Sequence, residues 1–372
     1  MSVSENEIIA WLQLVLANGT PRLPASNDQF ITDTLLLADW HGVTALIHHK
    51  LSGNNNPENY PAEFNRQLSA RNNRIIAGTL LWKQEMINVQ RLLHAAGLKS
   101  LLIKGFPLSY ILYPEPGLRL YSDIDILFPD LESAEKAWNI VGNTGYTRPV
   151  TVSGKYISHQ FSCYRTGTSG FTWALDLHWR INNHYFFANA LTFDELESSS
   201  VPLTGFDPEM RTLSPEYAML LACLHRIAHT QDHKSDRLIW LYDIHLLASA
   251  FSSEQWTVFS ELATGKKLSG ICLDGLMNCN KRFKTKLPEE IIELFQRQGK
   301  NDPIQPDGIS SNWKYLLRSI QTMPGWTERC CFLREHLLPP SDYILIKYKT
   351  DKKWLLPVLY LRRIVGGIKK LF

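Results

Sequence analysis

The sequence has few cysteines and no pattern that would pair them or arrange them around a metal ion. Six cysteines are scattered through 372 residues, none forms a Cys-x-x-Cys pair, and the adjacent Cys330 and Cys331 do not have a zinc-finger spacing. This excludes a disulfide framework and a cysteine-based zinc module. Scattered thiols are typical of a reducing compartment.

Net charge and long apolar runs are also scarce. The 39 Lys and Arg against 36 Asp and Glu give a formal charge of +3, which argues against a partner such as long nucleic acid. No apolar stretch approaches the ~20 residues of a membrane span. Glu5 and Glu7 stand where a secretion signal would carry Lys or Arg. Together these absences predict a cytoplasmic protein.

The apolar pattern predicts four segments along the chain. Residues 1–96 and 186–340 have mainly helical periodicity, and one continuous helix is expected over 31–51. Between them, in residues 97–185, short apolar strands alternate with helices, which predicts a small α/β unit. Its paired strands are expected at 156–164 and 171–179. Residues 341–372 form a basic amphipathic tail.

Acidic side chains share a face on two of the predicted strands. Asp123 and Asp125 alternate with apolar residues, and Asp176 does so on a later strand. Carboxylates this close repel each other unless a cation offsets their charge. Mg²⁺ prefers carboxylate and phosphate oxygens, and a third carboxylate on a neighbouring strand would complete a two-metal site. All three are therefore predicted to be catalytic metal ligands, with Mn²⁺ as a substitute for Mg²⁺.

A lysine and a glycine follow the first strand of the α/β segment. A glycine at a strand-to-helix junction lets a phosphate approach the backbone, so Lys104 and Gly105 are predicted to bind a triphosphate. Arg119 and Ser122, just before the acidic strand, are predicted to join them. Alternatively, Gly105 is a plain turn glycine, and Lys104 and Arg119 are ordinary surface charges.

Histidines on later segments form a second set of candidates. His225, His229 and His233 follow one another at helical spacing. The prediction is that His225 and His229 line an acceptor pocket with His178 and Asp243. The alternatives are plain packing or a zinc site of a metal-dependent hydrolase. His178 is expected to orient a carboxylate, to contact substrate or to be structural.

The tail from residue 347 to 372 contains eight Lys and Arg residues and one acid, Asp351, interleaved with apolar residues. This pattern predicts either a solvated basic helix packed on the protein or weak peripheral contact with an anionic membrane surface.

Three motifs together resemble the uncharacterised nucleotidyltransferase family of the DNA-polymerase-β superfamily. They are the run from Leu101 through Lys104-Gly105, the run Arg119-Leu-Tyr-Ser-Asp123-Ile-Asp125, and Leu175-Asp176-Leu-His178-Trp179. The resemblance implies an α+β core with a small mixed sheet and flanking helices. It also implies Mg²⁺-dependent transfer of a nucleoside monophosphate from a nucleoside triphosphate (NTP) to an unidentified small-molecule or protein acceptor, with release of pyrophosphate.

The chain departs from the superfamily pattern at one motif. A Gly-Ser or Gly-Gly turn usually precedes the first two acids, whereas here Lys104-Gly105-Phe106 takes that place. The serine that contacts the triphosphate is therefore missing. This leaves a second reading open, a non-catalytic member that binds a nucleotide or a partner.

Overall fold

The structure, a computed structural model, describes residues 4–53, 60–229, 236–306 and 312–371. Its strands are β1 (Leu101–Ile103), β2 (Ile124–Leu127), β3 (Gln160–Thr166), β4 (Thr172–His178), β5 (Val201–Pro202) and β6 (Arg211–Thr212). The helices in chain order are α1 (Glu5–Leu16), α2 (Asp28–His41), α3 (Thr44–Ser52), α4 (Ala62–Ala95), α5 (Gly105–Ile111), α6 (Leu131–Gly142), α7 (Tyr185–Ala188), α8 (Phe193–Ser198), α9 (Pro215–Ala228), α10 (Leu238–Ala250), α11 (Ser253–Gly265), α12 (Ser269–Phe283), α13 (Glu289–Gln298), α14 (Asn312–Thr322), α15 (Trp326–Leu337), α16 (Ser341–Lys347) and α17 (Leu356–Leu371).

The strands form one mixed sheet in the order β3-β4-β2-β1-β6-β5. Strand β2 runs antiparallel to β1 and parallel to β4, and β3 and β4 form an antiparallel pair. The predicted α/β class with a small mixed sheet is confirmed. The sheet continues through β5 and β6 to Thr212, past the predicted boundary at residue 185.

Two large apolar cores hold the protein together. One contains residues of α1–α3 together with residues of α9–α13, so helices from the two ends of the chain share a core. The other lies against the sheet and includes Ile124 and Ile126 of β2, Trp82 and Met86 of α4, and Ala137 of α6. The long helix α4 contributes to both cores, and this fixes the sheet relative to the helical part.

The expected continuous helix over residues 31–51 is wrong, because the chain breaks at Gly42. This glycine has a φ of 72° and ends α2 in the left-handed region, which a side chain rarely adopts. A Cβ there would also lie 3.1 Å from Ile239 Cγ2 and 3.2 Å from Arg237 Nη2. The break allows α2 to contact the start of α10.

The strand expected at 156–164 begins later, at Gln160, because Ser158 has a φ of 46° that interrupts the extended backbone. The paired strand expected at 171–179 is present as β4. No helix within the described ranges is long and apolar enough to cross a membrane.

Candidate active site

Acidic residues from two neighbouring parallel strands meet on one face of the sheet. In the register of β2 and β4, Asp125 lies opposite Asp176, so both side chains have the same orientation relative to the pleat. Asp125, Asp176 and His178 each offer a ligand atom, and these atoms all lie within 4.8 Å of one another. Asp123, directly before β2, lines the same cleft.

The cleft has a volume of about 610 Å³ and lies between the sheet and the helical part. Its sheet side carries the carboxylates together with Lys104, Gly105, Ser122 and His178. Its helical side is formed by residues of α2, of α9 and its C-terminal end, of α10 and of the turn before α10, namely Asp39, His225, Ala228, His229, Arg237, Ile239 and Trp240. A cleft of this size is typical of a small-molecule site.

Lys104 contacts the carboxylate cluster directly. Its Nζ donates to Asp125 Oδ1 at 2.5 Å, and His178 Nε2 lies 2.7 Å from the same oxygen. The Lys104 backbone has a φ of 61° and a ψ of −130°, a conformation that costs a non-glycine residue roughly 1–3 kcal/mol. Strain of this kind persists where the surrounding structure enforces it, and it often marks a functional site.

The charges in the cluster shift its pKa values in opposite directions. Burial would raise the pKa of Asp125, but the Lys104 ammonium and the His178 hydrogen bond outweigh burial and hold that pKa below its usual value. Burial would lower the pKa of Lys104, but Asp125 raises it. Burial and the negative charges of Asp125 and Asp176 raise the pKa of Asp123 from 3.8 to about 6. Asp123 therefore carries the least compensated charge.

Strand β3 holds the Asp176 carboxylate in place. Ser162 Oγ donates to Asp176 Oδ1 at 2.6 Å, and Gln160 Nε2 donates to Oδ2 at 2.5 Å. Asn183 Nδ2 in turn donates to Gln160 Oε1 at 2.8 Å. Sequence reasoning missed Gln160 and Ser162. Gln160 and Ser162 are two residues apart on β3, so the sequence predicts that they share a face. That prediction identifies them as partners of Asp176 only once the pairing of β3 with β4 is known.

The guanidinium of Arg119 binds Asp243 of α10. Its Nη2 donates to Asp243 Oδ2 at 2.6 Å and its Nε to Oδ1 at 3.3 Å, while Tyr113 OH donates to Oδ1 at 2.6 Å. All three side chains are buried. Arg119 borders the cleft, but its Nε and Nη2 serve this ion pair and its Nη1 donates to the Leu120 carbonyl at 3.0 Å. Arg119 therefore ties α10 to the segment before β2, and phosphate binding by Arg119 stays a prediction. Asp243 pairs with Arg119 and also lines a small pocket together with His225 and Trp240, so its place in an acceptor pocket stays a prediction.

Gly105 makes room for Arg119. A Cβ at this position would lie 2.5 Å from Arg119 Nη1 and 3.2 Å from Tyr121 Cβ. The missing side chain is thus explained by packing, and phosphate binding by Gly105 stays a prediction. Ser122 is exposed and its Oγ donates to Asp123 Oδ1 at 3.3 Å.

The helical side of the cleft is a cluster of rings, which we call the aromatic wall, formed by His225, His229 and Trp240 with Arg237 beside them. The ring centroids of His225 and His229 are 4.5 Å apart, and the Trp240 ring lies 4.9 Å and 5.2 Å from them. Arg237 stacks on Trp240 at 5.4 Å. Burial lowers the pKa of His225 well below its usual value, and the neighbouring His229 lowers it further. Sequence reasoning did not select Trp240 or Arg237, because an apolar helix gives no signal of which ring borders a cavity.

The metal-ligand cluster found in the described residues consists of Asp125, Asp176 and His178 and does not include the histidines of the aromatic wall. His233, named in the hydrolase alternative, lies outside the described residues. Four carboxylates line the cleft, and one of them, that of Asp39 on α2, is paired with Arg71. Within the described ranges, the other three, those of Asp123, Asp125 and Asp176, share one ammonium group, that of Lys104, which pairs with Asp125. The excess negative charge and the oxygen donors suit a divalent cation.

Comparison with known proteins points to one family. The sequence model of the uncharacterised nucleotidyltransferase family matches residues 28–284, more than two thirds of the chain. A search of curated proteins gives no match. Among solved structures, the chain is similar to an antigenic nucleotidyltransferase-like protein from Paracoccidioides brasiliensis, with 11% identity over 56% of this chain and 95% of the other and a TM-score of 0.34. It is also similar to JHP933 from Helicobacter pylori, with 14% identity over 64% and 97% and a TM-score of 0.31. TM-scores this low do not support a functional assignment, so the family assignment rests on the match of the sequence model.

Proposed function

Because the chain belongs to the uncharacterised nucleotidyltransferase family, we propose that it transfers a nucleoside monophosphate from an NTP to an acceptor and releases pyrophosphate. The observation that carries the proposal is the convergence of Asp125 and Asp176 from two parallel strands beside Asp123 in one cleft. This arrangement concentrates negative charge where a phosphate chain would also be held, so it requires added positive charge.

A divalent cation, Mg²⁺ or Mn²⁺, would supply that charge and polarise the phosphate undergoing substitution. Asp123, Asp125 and Asp176 would hold it, with His178 orienting Asp125 through the 2.7 Å contact. The two hydrogen bonds from β3 fix the Asp176 carboxylate, which suits it to accept the proton of the attacking acceptor group.

The cationic side chains at the cleft are candidates for the triphosphate. Lys104 is already within the cluster, and its ammonium would move from Asp125 to a phosphate oxygen when a divalent cation takes its place. Arg237 borders the cleft from the helical side and stacks on Trp240. Gly105 and Ser122 border the cleft near Lys104 and are retained as nucleotide-binding candidates.

The aromatic wall is the candidate surface for the acceptor or the base. His225, with its lowered pKa, stays neutral at physiological pH and so presents a ring without adding positive charge. Flat rings beside a charged cluster suit a planar or amphipathic molecule. A small molecule or the side chain of a protein fits a cleft of this size, and the small net charge disfavours long nucleic acid.

The direct test is isothermal titration of the protein with ATP, GTP, CTP and UTP in the presence of Mg²⁺, followed by pyrophosphate release over a panel of acceptors. Asp176→Asn should abolish release because it removes a charge and a proton acceptor while keeping the shape of the side chain. The matched control is Asp194→Asn, an exposed aspartate on α8, which should behave as the wild type. Failure of folded protein to bind any of the four nucleotides would overturn the proposal.

Two features favour a non-catalytic member that binds a nucleotide or a partner. The Lys104 ammonium occupies an oxygen of Asp125 that a cation would need, and the usual serine turn is absent. Two measurements separate the alternatives. A non-catalytic member would bind an NTP without releasing pyrophosphate with any acceptor, and Asp176→Asn would leave its cellular role intact.

A further inference from the structure

The C-terminal helix α17 exposes a row of apolar side chains. Trp354, just before the helix, is 74% exposed, and Val358, Leu361 and Val365 are 62%, 62% and 46% exposed. Their spacing of three or four residues places the three helical members on one side of α17. We call these four residues the apolar stripe. An ordered row of large apolar side chains in solvent is uncommon and marks an interaction surface.

The opposite side of α17 is fixed to the protein, so the stripe has no freedom to turn inward. Leu359 is buried. Tyr360 OH donates to the Pro339 carbonyl at 2.6 Å, and Arg363 Nη1 donates to the His336 carbonyl at 2.8 Å. The helix thus packs on α15 and the α15–α16 connection through one side and presents the apolar stripe on the other.

Basic side chains lie close to the stripe along the chain. Lys347, Lys349, Lys352, Lys353 and Arg362 are all exposed. None of the five forms an ion pair with an acidic residue in the part of the chain that the structure describes, and Arg362 stacks on Tyr348 at 5.4 Å. Their positive charge is therefore available to an external partner, and it lies next to apolar surface.

We propose that α17 lies in the interface of a bilayer containing anionic phospholipids, with the apolar stripe inserted among the acyl chains and the basic side chains on the headgroup phosphates. Charge complementarity selects this partner, because five uncompensated cations flank the stripe and a tryptophan stands at its end, as in helices that bind membrane surfaces. None of the stripe residues belongs to the carboxylate cleft as described, so the proposal is independent of the proposed enzymatic function.

The test is sedimentation of the full-length protein with vesicles of phosphatidylcholine alone and with vesicles of equal parts phosphatidylcholine and phosphatidylglycerol. The protein should bind the anionic vesicles and not the neutral ones, and added salt should weaken the binding. Val358→Asp with Leu361→Asp should reduce binding by more than about tenfold. Leu36→Asp with Leu80→Asp, at exposed apolar positions on α2 and α4, is the matched control and should bind as the wild type.

A second double variant distinguishes loss of membrane binding from loss of folding. Lys352→Glu with Lys353→Glu changes two exposed side chains and should reduce binding by at least about 25-fold, from about fivefold for each positive charge that is lost. Equal binding of both vesicle types, or full binding by either of these two variant pairs, would overturn the proposal. So would wild-type protein that ignores vesicles but self-associates through the stripe, because the partner would then be a second copy of the chain.

Discussion

Lys104 acts as the internal counter-ion of the carboxylate cluster, and replacing it with methionine tests the electrostatic reading of the site. Its side chain is 18% exposed and that of Asp125 is 8% exposed, so the pair is largely removed from water. Breaking a buried ion pair by removing one partner costs roughly 3–5 kcal/mol, because the other charge is left uncompensated. Lys104→Met should therefore lower the free energy of unfolding by about this amount at neutral pH without divalent cations.

The loss of unfolding free energy in Lys104→Met should depend on pH in a defined direction. The pKa of Asp125 lies below its unfolded value of 3.8, so the carboxylate stabilises the folded state above pH 3.8 and this contribution is lost as pH falls through the lowered pKa. In Lys104→Met that contribution disappears. The difference in the free energy of unfolding between the variant and the wild type should thus be largest at neutral pH and become smaller in acid.

Divalent cations should reverse the defect. With Lys104 absent, Mg²⁺ has free access to Asp125, and a cation at a hundred times its Kd adds about 2.7 kcal/mol to the folded state. The variant should gain more stability from Mg²⁺ than the wild type does, because in the wild type the ammonium competes for the same oxygen. NTP binding should weaken, since Lys104 is also a proposed phosphate ligand.

A comparison with Lys104→Gly separates the side chain from the backbone. Both variants lose the ammonium, but glycine also relieves the strain at a φ of 61°, worth roughly 1–3 kcal/mol against a loss of about 0.5–1 kcal/mol for glycine entropy. Lys104→Gly should be the more stable of the two. Urea titrations followed by circular dichroism, with a chelator and with Mg²⁺, measure all of these differences. Unfolding of Lys104→Met at the wild-type urea midpoint in chelator would refute the counter-ion reasoning.

Three further perturbations have defined outcomes. Because the pKa of Asp123 rises from 3.8 to about 6, its stabilising contribution is complete below pH 3.8 and lost by about pH 6. Asp123→Asn should therefore be up to roughly 3 kcal/mol more stable than the wild type in cation-free urea titrations above pH 6 and no more stable in acid. Asp243→Ala should cost about 3–5 kcal/mol in thermal unfolding, because it strands the buried Arg119 guanidinium; an unchanged melting temperature would contradict the ion-pair assignment. Ser162→Ala should weaken Mg²⁺ binding by about ten- to a hundredfold in calorimetry through its bond to Asp176, while unfolding changes little.

Several features of the protein were set by the sequence alone. The side-chain period of a strand is two, so Asp123 and Asp125 had to share a face, and Asp176 and His178 likewise. The order of strands and helices predicted a small α/β unit, the family resemblance implied a mixed sheet, and that sheet is present. Local backbone geometry determines such features, and neighbouring residues carry all the information needed.

The tertiary structure decided which side chains meet. Asp243 lies 124 residues from Arg119 and binds it because α10 lies beside the segment that leads into the acidic strand. The residue pattern around Arg119 does not indicate that partner. Gln160 and Ser162 became supports of Asp176 through the register of β3 with β4. Trp240 became part of the cleft because one side of an apolar helix remained uncovered there. Periodicity fixes the direction of a side chain relative to its own element, whereas its partner depends on the packing of elements distant in the chain, which a single sequence does not encode in any local pattern.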